Sequence, residues 1–199
     1  MLIYRFHYSI FQKIKNKREQ PVALKPTIYK FNIALSDLDR NFYDTIDLTL
    51  ALHPSETIQR MMARVVAFCI NAQESLKFTK GLSEIEEPDI WLRTLDDQIA
   101  LWIDVGEPDV ERIKKATHKA TSVKVYSFNS KSNVWWEQSK AKFARIAASI
   151  YRFQWDEIQA FSAMLERTMA LSMTIADDSV YITSGDGQCE IAWTRLSID

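Results

Sequence analysis

The sequence has few of the residues that interrupt or cross-link a chain. Its 199 residues include only 4 Gly, 5 Pro and 2 Cys. This scarcity of glycine and proline excludes a low-complexity linker that would divide the chain. Two cysteines are too few for a disulfide framework. We therefore expect one domain from a reducing compartment and predict a cytoplasmic location.

The sequence also lacks a surplus of one charge and a long apolar run. With 25 Lys and Arg against 26 Asp and Glu, the net charge is −1. This balance excludes a protein that coats nucleic acid through a large overall positive charge. No segment approaches the roughly 20 apolar residues that a membrane span needs. A nucleic-acid partner would have to bind a local patch, and no membrane partner is expected.

The first 22 residues differ from the rest of the chain. Their apolar stretch is interrupted by Arg5 and His7, and most of their positive charges follow this stretch, which is the reverse of a signal peptide. We interpret residues 1–22 as a mobile or non-native extension, with a docked amphipathic helix as the alternative. Residues 23–199 then form the domain.

Hydrophobic patterning predicts a mixed α+β fold, with a central mixed β-sheet flanked by helices. Alternating segments predict an N-terminal hairpin, further short strands and three C-terminal strands. The predicted strands are 27–35, 43–52, 76–79, 88–95, 98–105, 122–129, 149–153, 170–175, 180–183 and 189–195, and the predicted helices are 56–71, 109–120, 132–145 and 157–167. Ser55 is the expected N-cap of the first helix.

The hairpin over residues 88–105 carries the candidate chemistry. A tight turn at residues 96–97 gives one face that is almost wholly apolar, and a slip of one residue would mix the two faces and bury charge. The predicted pairs are Ile90 with Ile103, Leu92 with Leu101, Thr94 with Ile99, Trp91 with Trp102, and Arg93 with Ala100. At the open end this register places Asp89 opposite Asp104.

The electrostatic repulsion between two opposed aspartates has to be offset. Directly opposed residues have Cβ atoms about 5 Å apart, so their charges call for a raised pKa, a neighbouring cation or a bound metal. Carboxylates at this separation suit Mg²⁺ or Mn²⁺, which we expect as the cofactor. Such an ion would polarise a phosphoryl oxygen and generate hydroxide. The alternative is that both residues end their strands at a solvated edge.

A lysine near this pair would assist such chemistry. Lys114 follows Val110 by four residues and lies on the rim of the apolar face expected for the next helix, so it could reach over the sheet end. Lys115 points away and is expected in water, while Lys124 on the neighbouring strand is a third option. For each lysine, plain surface solvation is the alternative.

Seven segments of the sequence resemble the YaeQ family of bacterial proteins. They are ALKPTIYKFNIALSDLDRNFYDT, HPSETIQRMMARVVAFCINA, FTKGLSEIEEPDIWL, DDQIALWIDVGEP, RIKKA, FNSKSNVWWEQ and AKFARI. The resemblance covers residues 23–196 or so. It implies a variant of the PD-(D/E)XK nuclease fold, that is, a restriction-endonuclease-like core with helices on both sides of the sheet and a metal-type site at the hairpin.

The resemblance also implies roles for individual residues. Asp89 after Pro88 matches the first acid of the motif, and Asp104 matches the second. Glu56 matches an acid that many members supply from the first helix, so all three acids become expected metal ligands and catalytic residues. Gly106 stands where the PD-(D/E)XK motif carries lysine, and Lys114 is the expected replacement.

Three functions remain open from the sequence. The first is a metal-dependent phosphodiesterase acting on nucleic acid, with Asp89 and Asp104 holding Mg²⁺. The second is a nuclease fold that has lost catalysis and serves as a nucleic-acid-binding protein or as a regulatory protein related to transcription. The third is a protein-interaction module that uses exposed C-terminal strands.

Overall fold

The computed structural model describes residues 26–80, 84, 86–185 and 187–197, and the expected extension at 1–22 lies outside them. Within these ranges the chain forms ten strands and four helices. In chain order they are β1 (Thr27–Asp37), β2 (Phe42–Leu52), α1 (Ile58–Ile70), β3 (Leu76–Phe78), β4 (Ile90–Arg93), β5 (Ile99–Val105), α2 (Val110–Thr117), β6 (Ala120–Ser127), α3 (Ser132–Phe143), β7 (Ser149–Phe153), α4 (Trp155–Ala163), β8 (Thr168–Ala176), β9 (Ser179–Ser184) and β10 (Gly187–Leu196). None of these helices has the length and apolar character to cross a membrane.

One large mixed sheet contains all ten of these strands. Their order is β2-β1-β8-β9-β10-β7-β6-β5-β4-β3. Strands β5, β6 and β7 run parallel, as do β1 and β8, and the other neighbours are antiparallel. Residues 187–192 of β10 pair with β9 and residues 193–196 pair with β7, so this strand joins the two halves of the sheet. The predicted mixed sheet with flanking helices is confirmed.

The three C-terminal strands lie inside the strand order and not at its ends. Strand β9 pairs with both β8 and β10, whereas β10 pairs with β9 over residues 187–192 and with β7 over residues 193–196, so each half of β10 has a strand on one side. In the described part of the chain, the strand order begins at β2 and ends at β3. The hypothesis of an interaction module that uses these strands stays a prediction.

Two apolar clusters cover opposite faces of the sheet. The larger includes α1 and α4, while the smaller lies between the sheet and helices α2 and α3. Nine consecutive residues of α1, Met61–Cys69, are buried, whereas a surface helix buries only a stripe. The curled sheet and α4 therefore enclose α1 on all sides over these residues, and polar side chains of this helix need partners within the protein.

The helix ends show where local signals failed. Thr57, not Ser55, caps α1, because the Thr57 hydroxyl accepts from the Arg60 amide at 3.2 Å while the Ser55 hydroxyl lies 2.7 Å from His53 Nδ1. Helix α4 ends at Ala163 instead of 167, because the carbonyl of Arg167 already accepts a hydrogen bond from the β1 strand.

The central hairpin has the predicted register near the site. Strand β4 pairs with β5 as Ile90 with Ile103, Trp91 with Trp102, and Leu92 with Leu101. The predicted pairing of Arg93 with Ala100 is wrong, because a β-bulge after Leu92 shifts Arg93 to Ile99. The irregularity lies toward the turn, so it leaves the end of the hairpin that carries the aspartates in register.

Candidate functional site

A cavity of about 480 Å³ opens at the carboxyl ends of β5 and β6. These strands are parallel neighbours, so both end at the same edge of the sheet, where α/β proteins commonly bind ligands. The cavity is lined by Ser55, Thr57, Arg60, Glu84, Glu87, Asp89, Asp104, Val105, Gly106, Glu107, Pro108, Arg112, Phe128 and Asn129. The structure thus brings both predicted aspartates to one cavity.

Asp89 lies directly before β4 and faces helix α1. Its Oδ2 accepts a hydrogen bond from the Val105 amide at 2.8 Å, which fixes the carboxylate against β5 next to Asp104. Its Oδ1 is 2.7 Å from Arg60 Nη2 and 3.3 Å from Arg64 Nε. This buried carboxylate therefore meets two guanidinium groups from one helix.

Glu56 shares these arginines but does not line the cavity. Its Oε1 accepts from Arg60 Nη1 at 2.8 Å and from Arg64 Nη1 at 2.9 Å. Arg64 is enclosed on its other side by the ring of Phe78, 5.3 Å from its guanidinium carbon. Glu56 therefore lies behind Arg60, and its expected metal role stays a prediction.

Asp104 faces helix α2, where Arg112 binds it with two hydrogen bonds. Arg112 Nε lies 2.8 Å from Oδ2 and Nη2 lies 3.0 Å from Oδ1, and Nη2 also donates to the Glu87 carbonyl at 2.7 Å. Burial raises the pKa of Asp104, Arg112 opposes the rise, and the charge of Asp89 adds to it. The two aspartates therefore influence each other, although each is paired to a different helix.

Lys114 does not lie where its place in the sequence predicts. Its side chain is 58% exposed, its Nζ is 3.9 Å from Glu111 Oε2, and it is not among the residues that line the cavity. The buried residues of α2 are Ile113 and Ala116. Arg112 precedes Ala116 by four residues and so shares its face, which puts Arg112, not Lys114, over the end of the sheet.

The other two lysines are also away from the cavity. Lys115 is exposed, as predicted. Lys124 Nζ donates to Asn71 Oδ1 at 2.7 Å, at the other end of α1. Burial lowers the pKa of Lys124, and the charge of Arg40 adds to this effect.

The backbone explains why lysine is absent at position 106. Gly106 has φ +121°, a region that residues with a Cβ rarely adopt, although nothing lies within 4 Å of the place where a Cβ would be. Its amide donates to the Tyr126 carbonyl at 2.9 Å, which holds this conformation in place. A lysine here would strain the chain.

Glu107 closes the far side of the cavity in a structural role. Its Oε1 accepts hydrogen bonds from the amides of Phe128 and Asn129, both at 3.0 Å, and from the Ser132 hydroxyl at 2.6 Å. The carboxylate thus fastens the turn between β6 and α3. Its oxygens are engaged by this turn, so we do not count it as a ligand.

Asp89 and Asp104 are the residues that could hold a divalent cation, which would have to compete with the guanidinium groups that bind all four of their oxygens. Five carboxylates line the cavity against two guanidinium groups, and this excess of negative charge attracts a cation. Among the described residues, no group of three or more His, Cys, Asp or Glu side chains is arranged to hold a metal. Two carboxylates would be enough for an ion such as Mg²⁺, which takes one or two carboxylates plus substrate phosphates.

The arginines are the part of the site that the sequence pattern did not reveal as a set. Every carboxylate oxygen of Glu56, Asp89 and Asp104 accepts a hydrogen bond from a guanidinium group. In the sequence, Arg60 and Arg64 stand out only as general positive charge, and no motif marks Arg112. Its spacing of four residues from Ala116 was the available signal.

The fold and this site define a mixed α+β protein with an acidic, arginine-lined cavity at the ends of parallel strands. The family model described as YaeQ protein matches residues 22–193. The chain therefore belongs to the YaeQ family, as its sequence motifs indicated.

Individual relatives agree with this assignment. The YaeQ proteins of Salmonella typhi and Escherichia coli K12 are 42% and 40% identical over 181 residues, covering 88% of this chain and all of each relative. The crystal structure of YaeQ from Xanthomonas axonopodis pv. citri has a TM-score of 0.82 at 31% identity, with 85% of this chain and 97% of that chain covered. YaeQ from Pseudomonas syringae gives 0.82 at 30% identity, with 87% and 97% covered.

Proposed function

We propose that the chain is a nuclease-like protein that acts on nucleic acid with a variant PD-(D/E)XK site. Asp89 and Asp104 would hold Mg²⁺ or Mn²⁺, and Glu56 would support them by fixing Arg60 and Arg64. The bound ion would polarise a phosphoryl oxygen and activate water. Fold analogy alone does not carry this proposal, so its support is the geometry of the cavity.

The observation that carries the proposal is the meeting of two buried aspartates from adjacent strands at one acidic cavity. Asp104 and Asp89 are 3% and 4% exposed, and arginines offset the cost of burying them, Arg112 for Asp104 and Arg60 and Arg64 for Asp89. The cavity lies at the strand ends and has arginines at its rim, which suits a phosphodiester with a cation beneath it.

A second candidate is a degenerate nuclease fold that binds nucleic acid without cutting it. Two observations favour it. Gly106 has a conformation that disfavours lysine, and Lys114 extends into solvent. Arg112 therefore lies where the lysine of the PD-(D/E)XK motif would be expected. A guanidinium group stays protonated in proteins and cannot act as a general base.

A cleavage screen separates the two candidates. The wild-type chain is incubated with DNA and RNA, single- and double-stranded, with Mg²⁺, Mn²⁺ or EDTA. The proposed enzyme cleaves at least one substrate only with metal, and Asp104→Asn abolishes this cleavage while Glu111→Gln, which changes an exposed acid on the adjacent helix α2, retains it. No cleavage together with nucleic-acid binding supports the second candidate, and neither cleavage nor binding contradicts both.

A further inference from the structure

We propose that Arg112 is an exchangeable counter-ion, which binds Asp104 in the free protein and transfers to a backbone phosphate when nucleic acid enters the cavity. This inference rests on the proposed function. It makes the binding of nucleic acid and of the divalent cation cooperative, because leaving Asp104 unpaired creates the vacancy that the cation fills.

The position of Arg112 suits such an exchange. Its side chain is 30% exposed, whereas its partner Asp104 is nearly inaccessible, so the arginine is the mobile member of the pair. It lines the main cavity and also a second one of about 310 Å³ beside it. The guanidinium group therefore borders both cavities, with its carbon 5.7 Å from the centre of the Trp102 ring and its Nη2 donating to the Glu87 carbonyl.

The carboxylate of Asp104 and a backbone phosphate are equivalent partners for the guanidinium group of Arg112. A guanidinium group binds carboxylate and phosphate through the same pair of parallel N–H donors, so a phosphate at the rim offers Arg112 the same hydrogen bonds that Asp104 gives it. Arg64 differs, since it is 6% exposed and held between Glu56, Asp89 and Phe78. Arg112 can exchange partners while Arg64 keeps the site assembled.

The exchange changes the charge that Asp104 presents to a cation. While Arg112 binds Asp104, both carboxylate oxygens are engaged and a cation would have to compete for them. Once Arg112 binds phosphate, Asp104 is a buried charge without a partner, which is strongly unfavourable. A cation is then bound more tightly, and by reciprocity the cation must strengthen nucleic-acid binding by the same factor.

The test is calorimetric titration of Mn²⁺ into protein without nucleic acid. We compare the wild type with Arg112→Gln and with the matched control Lys114→Gln, which removes an exposed cation two residues away. The titrations are made at about pH 8, well above the ordinary pKa of aspartate, to favour the ionised form of Asp104 after its arginine is removed. Circular dichroism spectra and thermal melts establish that each variant is folded.

Arg112→Gln is expected to bind Mn²⁺ at least about fivefold more tightly than the wild type, the lower end of typical coupling between sites, while Lys114→Gln is unchanged. The same variant should bind a phosphorothioate DNA duplex more weakly in Mn²⁺ than the wild type. Equal Mn²⁺ affinity in Arg112→Gln and the wild type overturns the exchange and leaves the proposed function standing. No Mn²⁺ binding by either protein overturns both.

Discussion

Replacing Arg64 by methionine tests whether the buried charges hold the site together. Arg64 is buried on the enclosed helix α1 and contacts Glu56 at 2.9 Å and Asp89 at 3.3 Å. Arg64→Met keeps the aliphatic stem that packs on Phe78 but removes the charge. The two carboxylates then share only Arg60.

The expected loss of stability depends on Arg60, the cation that remains beside the two carboxylates. Removing one member of a buried ion pair destabilises a protein by roughly 3–5 kcal/mol, because the other member is left unpaired. Since Arg60 still reaches both acids, at 2.8 and 2.7 Å, we expect the lower end, about 3 kcal/mol. For a chain of this size that loss lowers the thermal midpoint by about 6–12 °C.

Urea unfolding followed by circular dichroism measures the loss, with Arg145→Met as the control for removing an exposed arginine. A double-mutant cycle with Glu56→Gln then isolates the pair, and a coupling energy of roughly 1–3 kcal/mol is expected. An Arg64→Met variant as stable as the Arg145→Met control would refute this reasoning, since it would mean that the buried acids do not need this partner.

Three further substitutions address the neighbouring backbone and charges. Because burial raises the pKa of Asp104, the contribution of this group to wild-type stability falls as pH rises from about 4 through its folded pKa. The thermal midpoint of Asp104→Asn should therefore rise relative to that of the wild type over this window, and a pH-independent difference would contradict this expectation. Gly106→Ala, at φ +121°, should cost about 1–3 kcal/mol in urea unfolding, and a neutral result would exclude backbone strain. Glu107→Ala removes the acceptor of two backbone amides and should cost about 1–3 kcal/mol, with faster amide exchange at Phe128 and Asn129; unchanged exchange would speak against that role.

Much of the fold could be predicted because each strand carries its own pattern. In the central hairpin, Ile90, Leu92 and Ile103 alternate with polar or aromatic neighbours, so only one register keeps charge out of the core. That local pattern was enough to bring Asp89 and Asp104 to the same cavity. It did not reveal the bulge after Leu92, because the alternation of apolar residues does not mark that position.

The arginines could not be predicted in the same way, because their partners lie on other elements. Arg112 reaches Asp104 only through the rotation of α2 on the sheet, which is set by the burial of Ile113 and Ala116. The predicted apolar face ran through Val110, Ile113, Thr117 and Ala120. Ile113 is buried as predicted, but Ala116 is buried in place of Thr117, and this small error in rotation favoured Lys114. A single helix of eight residues gives too short a pattern to fix its rotation.

The dependence of DNA binding on Mn²⁺ at Asp104 is the most direct test of the proposed cation site. Fluorescence anisotropy with a phosphorothioate duplex, which resists cleavage, gives the affinity of the wild type and of Asp104→Asn with Mn²⁺ and with EDTA. We predict that Mn²⁺ tightens binding by at least about fivefold in the wild type and has no such effect in Asp104→Asn. An equal gain in both proteins, or no gain in the wild type, would contradict the placement of a cation at this carboxylate.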